Sequence, residues 1–350
     1  MDNFASLYSI KKDNTRLVLE AIARSSSITK LEISEETSLS LMTVGKITSS
    51  LVEKGLIVHE KNISQKAGRR AEVYKVRHDW LIPMFEISSR VFKFYITDLK
   101  GKVIDKITYK SSNDPQYISN EFVSFLKKTL ELLRERYKNK KALGIGVSIA
   151  GVYDAENDCI RSSMLNELAS IKLMGNITKL FKNKNIVIEN SNRLCAAGII
   201  ESLEDYKNIT VSCLSLGDTI ECTTCERGVY LSGSGNLAGR LGDIPYSPGV
   251  TYANFIKEAK DPDFVTDPAL DLLKIAAVAY APDVIYLCSD KFSFTPGAIK
   301  RLGSSLNTSM IWPKNPPELR YVHSTELESL SAIISRVIGN WLDDALKKDT

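Results

Sequence analysis

Histidine and cysteine are scarce in this chain: three histidines (His59, His78 and His323) and six cysteines are spread over 350 residues. A metal centre or a Cys/His nucleophile needs several such groups to converge, so neither is well supported. Cys159, Cys195, Cys213, Cys222, Cys225 and Cys288 are too scattered for a disulfide framework and read as reduced thiols. The one metal-like spacing, Cys222-Thr-Thr-Cys225, lies in the alternating stretch Thr219 to Arg227, which reads as a strand. Residues three apart on a strand point to opposite faces, so these two sulfurs would not meet on one ion. No metal and no cofactor are expected. Long apolar runs are missing too: none approaches the roughly 20 residues of a membrane-spanning helix. Met1-Asp2-Asn3-Phe4 is not a basic stretch leading into an apolar one, and a cytoplasmic chain is expected. Tandem repeats and low-complexity segments are absent.

With 43% hydrophobic and 25% charged residues, the chain has the composition of an ordinary globular protein, long enough for one large core or two to three smaller ones. The formal net charge of +4 announces no polyanion partner by itself. Its distribution says more. Lys61, Lys66, Arg69, Arg70, Lys75 and Arg77 fall in one short segment against the single acid Glu72.

That segment closes an N-terminal motif. A first helix is expected after Asn14 as N-cap, carrying Leu17, Val18, Ala21 and Ile22 on one face to about Arg24. Thr29-Lys30-Leu31-Glu32 has the form of a capping box and starts a second helix, Lys30 to about Thr37. Ser38-Leu39-Ser40 makes a tight connection to a third helix, which Ser40 caps and Gly55 stops after Lys54. On it Val44, Ile47 and Leu51 form a buried stripe, with Met42, Lys46 and Ser49 opposite. Leu56 to His59 and Val73 to Val76 then read as two strands around a polar loop holding Ala67-Gly68-Arg69-Arg70. Three short helices and a basic hairpin make a winged helix-turn-helix, in which phosphate contacts position the module and third-helix side chains read bases. Ser40, Met42, Thr43, Lys46 and Ser49 are the candidate groove and phosphate contacts, with Gly68, Arg69 and Arg70 on the wing. The plainer reading is a small helical domain with a solvated basic loop.

From about Trp80 the pattern changes to strands (Met84 to Ile87, Phe92 to Asp98, then Val103-Ile104), a helix from about Pro115 to Lys138, and a strand Ala142 to Ser148. A second set follows: strand Ile186 to Glu189, helix Arg193 to about Ser202, strands Thr210 to Ser215 and Glu221 to Glu226. Thr325 to Leu346 reads as one amphipathic helix. This order implies α/β layers.

These residues resemble the ROK family of bacterial sugar kinases and sugar-responsive repressors. The resemblance rests on the winged helix ending in Gly68-Arg69-Arg70 and the loop Gly235-Asn236-Leu237-Ala238-Gly239-Arg240-Leu241-Gly242-Asp243. Gly144 to Gly151, Glu189-Asn190 and Ala281-Pro282-Asp283-Val284-Ile285-Tyr286 support it. It implies an α/β architecture in which an N-terminal winged helix-turn-helix (1–79) precedes a two-lobed actin-like, ribonuclease H-like body. One lobe would comprise 80–188 with 324–350, the other 189–323.

Where the resemblance predicts catalytic groups, the sequence departs from it. The family's aspartate base would follow Asn190, and Ser191 stands there; a hydroxyl is no carboxylate base. The first phosphate loop would follow Ile87, but Ser88-Ser89-Arg90-Val91 has no glycine. Glycines expected after Leu287 are Cys288-Ser289-Asp290. The glutamate and histidine of the family's sugar pocket correspond to Arg240 and Asp243, and Pro248 to Asp267 contains none of the family's zinc-binding cysteines. No catalytic residue is assigned.

The effector candidates are therefore Asn190, Ser191, Gly239, Arg240 and Asp243. Either Arg240 engages a phosphate or carboxylate on an anionic sugar derivative, or it pairs with Asp243 and seals the pocket. The leading expectation is a repressor of a carbohydrate-utilisation operon, a homodimer or homotetramer on a double-stranded DNA operator, with a sugar or anionic sugar derivative as effector. Two alternatives remain: a sugar kinase of altered mechanism, for which Asp218 and Asp243 are the acids to test near Asn190, and a constitutive DNA binder whose body only oligomerises.

Overall fold

The computed structural model describes residues 2–347 except 26, 62–71, 89, 113, 163–164, 184, 218, 310–311, 313–314 and 324–325. The chain begins with helix α1 (Asp2–Arg24), strand β1 (Ile28–Thr29) and helices α2 (Lys30–Thr37) and α3 (Leu41–Glu53). The hairpin β2 (Ile57–Lys61) and β3 (Glu72–Val76) follows. The capping box forms as expected: Thr29 Oγ1 accepts from the Glu32 amide at 3.3 Å while Glu32 Oε2 accepts from the Thr29 amide at 2.7 Å. Gly55, at φ +71°, takes the left-handed conformation that ends α3 without a Cβ penalty. The addition is β1, which pairs with β3 and makes a three-stranded sheet in the order β1-β3-β2.

Two expectations for the first helix are corrected. It starts at Asp2, not after Asn14, which lies within it. Lys12 Nζ lies 2.5 Å from Asp343, so the turn just before Asn14 touches the C-terminal helix. Leu17 is 41% exposed, while Leu19 is buried. α1 in fact buries two faces. Val18, Ala21 and Ile22 join the core behind α3, and Leu19 turns toward the body, so a single stripe does not describe it.

The body contains two sheets of the same plan. In the first, β4 (Trp80–Ile87), β5 (Val91–Thr97) and β6 (Val103–Lys110) form an antiparallel meander. After helix α4 (Ile118–Arg136), β7 (Lys141–Ala142) pairs beside β4, then β8 (Ile145–Ile149) lies parallel to β4. The strand expected over Ala142 to Ser148 is thus broken. A Cβ at Gly144 would lie 2.4 Å from Asn185 Nδ2 and 2.6 Å from Val337, so the chain passes there as bare backbone under the C-terminal helix. The hairpin β9 (Val152–Asp154) and β10 (Cys159–Arg161) and helix α5 (Leu173–Phe181) lead to β11 (Ile186–Asn190), which completes the order β11-β8-β4-β5-β6. Phe85, Phe92, Phe94, Phe122 and Phe125 fill its core, with Phe85 and Phe94 rings 4.9 Å apart.

Helix α6 starts at Ser191 rather than Arg193 and runs to Ile200, because Asn190 supplies the cap. Strands β12 (Thr210–Leu216), β13 (Ile220–Glu226) and β14 (Val229–Tyr230) form the second meander. The small hairpin β15 (Pro245–Ser247) and β16 (Val250–Thr251) and helices α7 (Tyr252–Glu258) and α8 (Pro262–Tyr280) come next. Strand β17 (Val284–Ser289), helix α9 (Pro296–Thr308) and strand β18 (Glu318–His323) complete the sheet as β14-β13-β12-β17-β18. β12, β17 and β18 run parallel, and β17 is buried along its whole length, as parallel strands covered on both faces are. Cys222 and Cys225 fall in different cores on opposite faces of β13. Burial pushes the Cys222 thiol up to about 12, an inert state.

The last helix, α10 (Glu326–Lys347), packs against α6 so closely that a Cβ at Gly198 would lie 2.2 Å from the Glu328 carbonyl oxygen. One apolar core joins Val18, Ile33, Val44 and Leu51 of the winged helix to Val187, Leu194, Ile333 and Val337 of the body. Trp80 Nε1 donates to the Gly55 carbonyl at 2.7 Å across the same junction. Among the described residues no helix is long and apolar enough to cross a membrane.

Candidate nucleic-acid interface and interlobe pocket

The outward face of α3 is set by what its inward face buries. Val44, Ile47, Thr48 and Leu51 point into the core, so Met42, Lys46 and Ser49 stand in solvent, Met42 with 73% of its surface exposed. Ser40 caps the helix, its Oγ accepting from the Thr43 amide at 3.1 Å, and the two hydroxyls lie 2.9 Å apart. They present a paired polar edge at the helix start, where the backbone dipole and unpaired amides favour phosphate.

Gly45 belongs to the same face and was missed. Nothing lies within 4 Å of the position its Cβ would occupy, so no packing demand excludes a side chain. A mid-helix glycine costs about 1 kcal/mol relative to alanine, and close approach of another backbone is what it permits; that cost without an intramolecular reason was the available signal. Gly68, Arg69 and Arg70 lie outside the described residues.

In the body, the predicted effector residues are placed but do not form one open site. Asn190 is 5% exposed and its amide is spent inside the protein: Oδ1 accepts from the Arg193 amide at 3.1 Å, and Nδ2 donates to the Gly151 carbonyl at 2.9 Å and Glu221 Oε1 at 3.2 Å. Glu221 meets the Asn190 side-chain amide, while Glu189 accepts from the Asn190 backbone N–H at 3.0 Å. Of the two acids the sequence offers for test near Asn190, Asp218 lies outside the described residues and Asp243 is ion-paired to Arg240. Glu221 escaped notice because it is 31 residues away in sequence, on a strand that only the fold brings over α6. Burial raises its carboxyl above the ordinary range, against the pull of Asn190, Arg193 and Arg240. Gly239, at φ +85°, is demanded by packing, since a Cβ there would sit 1.9 Å from the Cys222 carbonyl oxygen. The cavity between Gly151, Glu221, Arg240 and Asp243 is only about 20 Å³, room for about one water.

Ser191 opens instead onto the cleft between the lobes, a cavity of about 500 Å³. Glu86, Lys93 and Glu326 line it and were not anticipated. Lys93 Nζ lies 2.8 Å from Glu86 and 3.5 Å from Glu326, and Tyr95 donates to Glu86 at 3.1 Å. Glu326 is buried enough to oppose its charge, yet Lys106 and Lys93 hold its carboxyl below the ordinary value. The β4–β5 turn closes on itself, with the Ser88 amide donating to the Val91 carbonyl at 3.1 Å and Ser88 Oγ to the same oxygen at 3.0 Å. Donors spent this way cannot cradle a phosphate. Among the described residues no group of three or more His, Cys, Asp or Glu side chains is arranged to hold a metal ion.

Comparison with known proteins agrees with both halves. Residues 11–58 match the winged helix-turn-helix DNA-binding family. A xylose repressor of Bacillus spizizenii is 24% identical over 213 residues, 59% of this chain and 54% of that protein, so the chain spans about half the length of the curated relative it matches. Among solved structures, a ROK family transcriptional regulator described as a homolog of the E. coli MLC protein superposes with a TM-score of 0.67 at 15% identity. The superposition covers 97% of this chain and 99% of the other. A ROK family glucokinase from Streptomyces griseus matches 72% of this chain and 98% of its own, with a TM-score of 0.53 at 11% identity. The chain thus carries a segment that matches the winged helix-turn-helix DNA-binding family and shares, over nearly its whole length, the fold of a solved ROK family transcriptional regulator.

Proposed function

We propose that this protein is a cytoplasmic DNA-binding repressor of a carbohydrate-utilisation operon, acting as a homodimer or homotetramer, each winged helix taking half of a double-stranded operator. The observation that carries the reading is the outward face of α3, where Met42, Lys46 and Ser49 stand in solvent around an unfilled Gly45. Ser40 and Thr43 would meet phosphate at the helix start, Lys46 and Ser49 would reach the groove, and Gly68, Arg69 and Arg70 would anchor the wing. The body, divided as 80–188 with 324–350 and 189–323, performs no phosphoryl transfer: Ser191 stands where a base is needed, and Ser88 spends its amide and hydroxyl on Val91 where a phosphate cradle is needed. Asn190, Ser191, Gly239, Arg240 and Asp243 mark the effector side, the effector being a sugar or an anionic sugar derivative.

The test is to recover DNA crosslinked to the protein in cells and measure binding of the enriched sequence. Lys46→Ala should weaken it by about tenfold and lower the salt slope by about 0.9 for one phosphate contact. Recovery of no enriched sequence, or unaltered binding by Lys46→Ala, would sink the reading.

A further inference from the structure

The first helix of the DNA-binding module meets the body across a cavity of about 440 Å³, within the size range of small-molecule sites. Its floor is apolar: Leu19, Leu99, Leu330 and Ile334 are each no more than 7% exposed. Its mouth is charged. Arg16 pairs with Glu20 at 2.8 Å and with Glu201 at 3.6 Å, and Glu201 also accepts from the Tyr230 hydroxyl at 3.3 Å. Both carboxylates are therefore engaged by the protein. Lys100, on the β5–β6 turn, donates to the Ser25 carbonyl at 2.8 Å, one bond from an ammonium that carries three N–H groups.

An apolar floor with a cation at its mouth complements an apolar body bearing one anionic group. A polyhydroxy ligand would find the hydroxyls of Ser202, Ser331 and Ser335 on the lining but would set the rest of its hydroxyls against leucine and isoleucine, at a cost for every unpaired group. We propose that this junction cavity binds a small organic acid, an aromatic or short-chain carboxylate or sulfonate, with its charge on Lys100 and its hydrocarbon over Leu19 and Ile334.

Its position gives the site a consequence, one that rests on the repressor reading above. Leu19 and Ala23 of α1 line the cavity, while Val18, Ala21 and Ile22 of the same helix enter the core behind α3. Leu330 of α10 lines both this cavity and the interlobe cleft. An occupant presses on α1 against the body and shifts the balance between orientations of the DNA-binding module, by as much as its affinity differs between them.

Anilinonaphthalenesulfonate, an anionic aromatic dye, is the probe, with uncharged Nile red as its partner, both titrated by fluorescence into the full chain. Saturable one-to-one binding of the sulfonate is expected. Lys100→Gln should weaken it by about tenfold, the worth of a hydrogen bond to a charged group, and leave Nile red unchanged. Ser335→Trp, which fills the cavity, should abolish both; thermal unfolding confirms that each variant is folded, and Lys100→Gln decides alone if the tryptophan variant is not. Non-saturable sulfonate binding, or equal binding by wild type and Lys100→Gln, overturns the site. Operator affinity unchanged at saturating dye overturns its regulatory consequence. A chain that binds the sulfonate but no DNA refutes the repressor reading and leaves the site standing, whereas one that binds DNA without saturable sulfonate binding refutes the site alone.

Discussion

Arg240 and Asp243 hold each other in an ion pair across a single tight turn, at the edge of a cavity of about 20 Å³. Both side chains remain more than a third exposed, 36% and 39%, so solvent screens the pair and it contributes at most about 1 kcal/mol. Asp243→Asn should therefore move the unfolding midpoint by no more than about 2 °C. It should also release the guanidinium. Calorimetric titration with a hexose phosphate should give tighter binding to Asp243→Asn than to wild type, and none to Arg240→Ala. Equal affinity in all three proteins would exclude Arg240 as an anion contact.

Gly45 separates stability from DNA binding. Its Cβ would meet nothing within 4 Å, so Gly45→Ala should stabilise the fold by about 1 kcal/mol through helix propensity. The same methyl group would stand between Met42 and Lys46 on the face proposed to meet DNA, and operator affinity should fall. Denaturant titration and DNA binding on one preparation should change in opposite directions.

The wing carries a charge prediction. Arg69→Ala with Arg70→Ala should weaken binding to every DNA sequence and reduce the slope of log affinity against log salt by about 0.9 for each phosphate that the wing no longer neutralises. An unchanged slope would remove the wing from the interface.

Glu221 gives a pH dependence of definite sign. Its carboxyl is raised in the folded protein, chiefly by burial, so the folded chain binds more protons than the unfolded one above the ordinary carboxylate value of about 4.3. Stability therefore falls as pH rises from that value to the raised one, and stays lower above it. Glu221→Gln keeps an oxygen facing Asn190 Nδ2 and removes the charge. Urea unfolding across this range should give a flatter profile for the variant and a higher midpoint above it.

Local chemistry was readable from the chain. Thr29 and Glu32 are three residues apart, so their reciprocal caps needed no tertiary contact, and the Arg240–Asp243 pair is local in the same way. Alternation placed Cys222 and Cys225 on opposite faces of a strand, where they are found. Long-range relationships were not readable. Lys12 meets Asp343 across 331 positions, and the carboxylate that the Asn190 side-chain amide reaches, Glu221, is 31 positions away. The charged wall of the cleft unites Glu86, Lys93 and Glu326 from two strands and the final helix. Leu17 was misplaced because α1 is packed on two sides, and periodicity cannot say how many neighbours a helix has.

The sequence by itself determined the order of helices and hairpin in the winged helix and the face α3 turns outward, because each depends on residue type or on neighbours within a few positions. Tertiary structure alone decided that one core joins the winged helix to the body. It also closed the space beside Arg240 to about 20 Å³ and left about 500 Å³ open between the lobes. Cavities are what remains after distant segments pack, and their size depends on every wall at once.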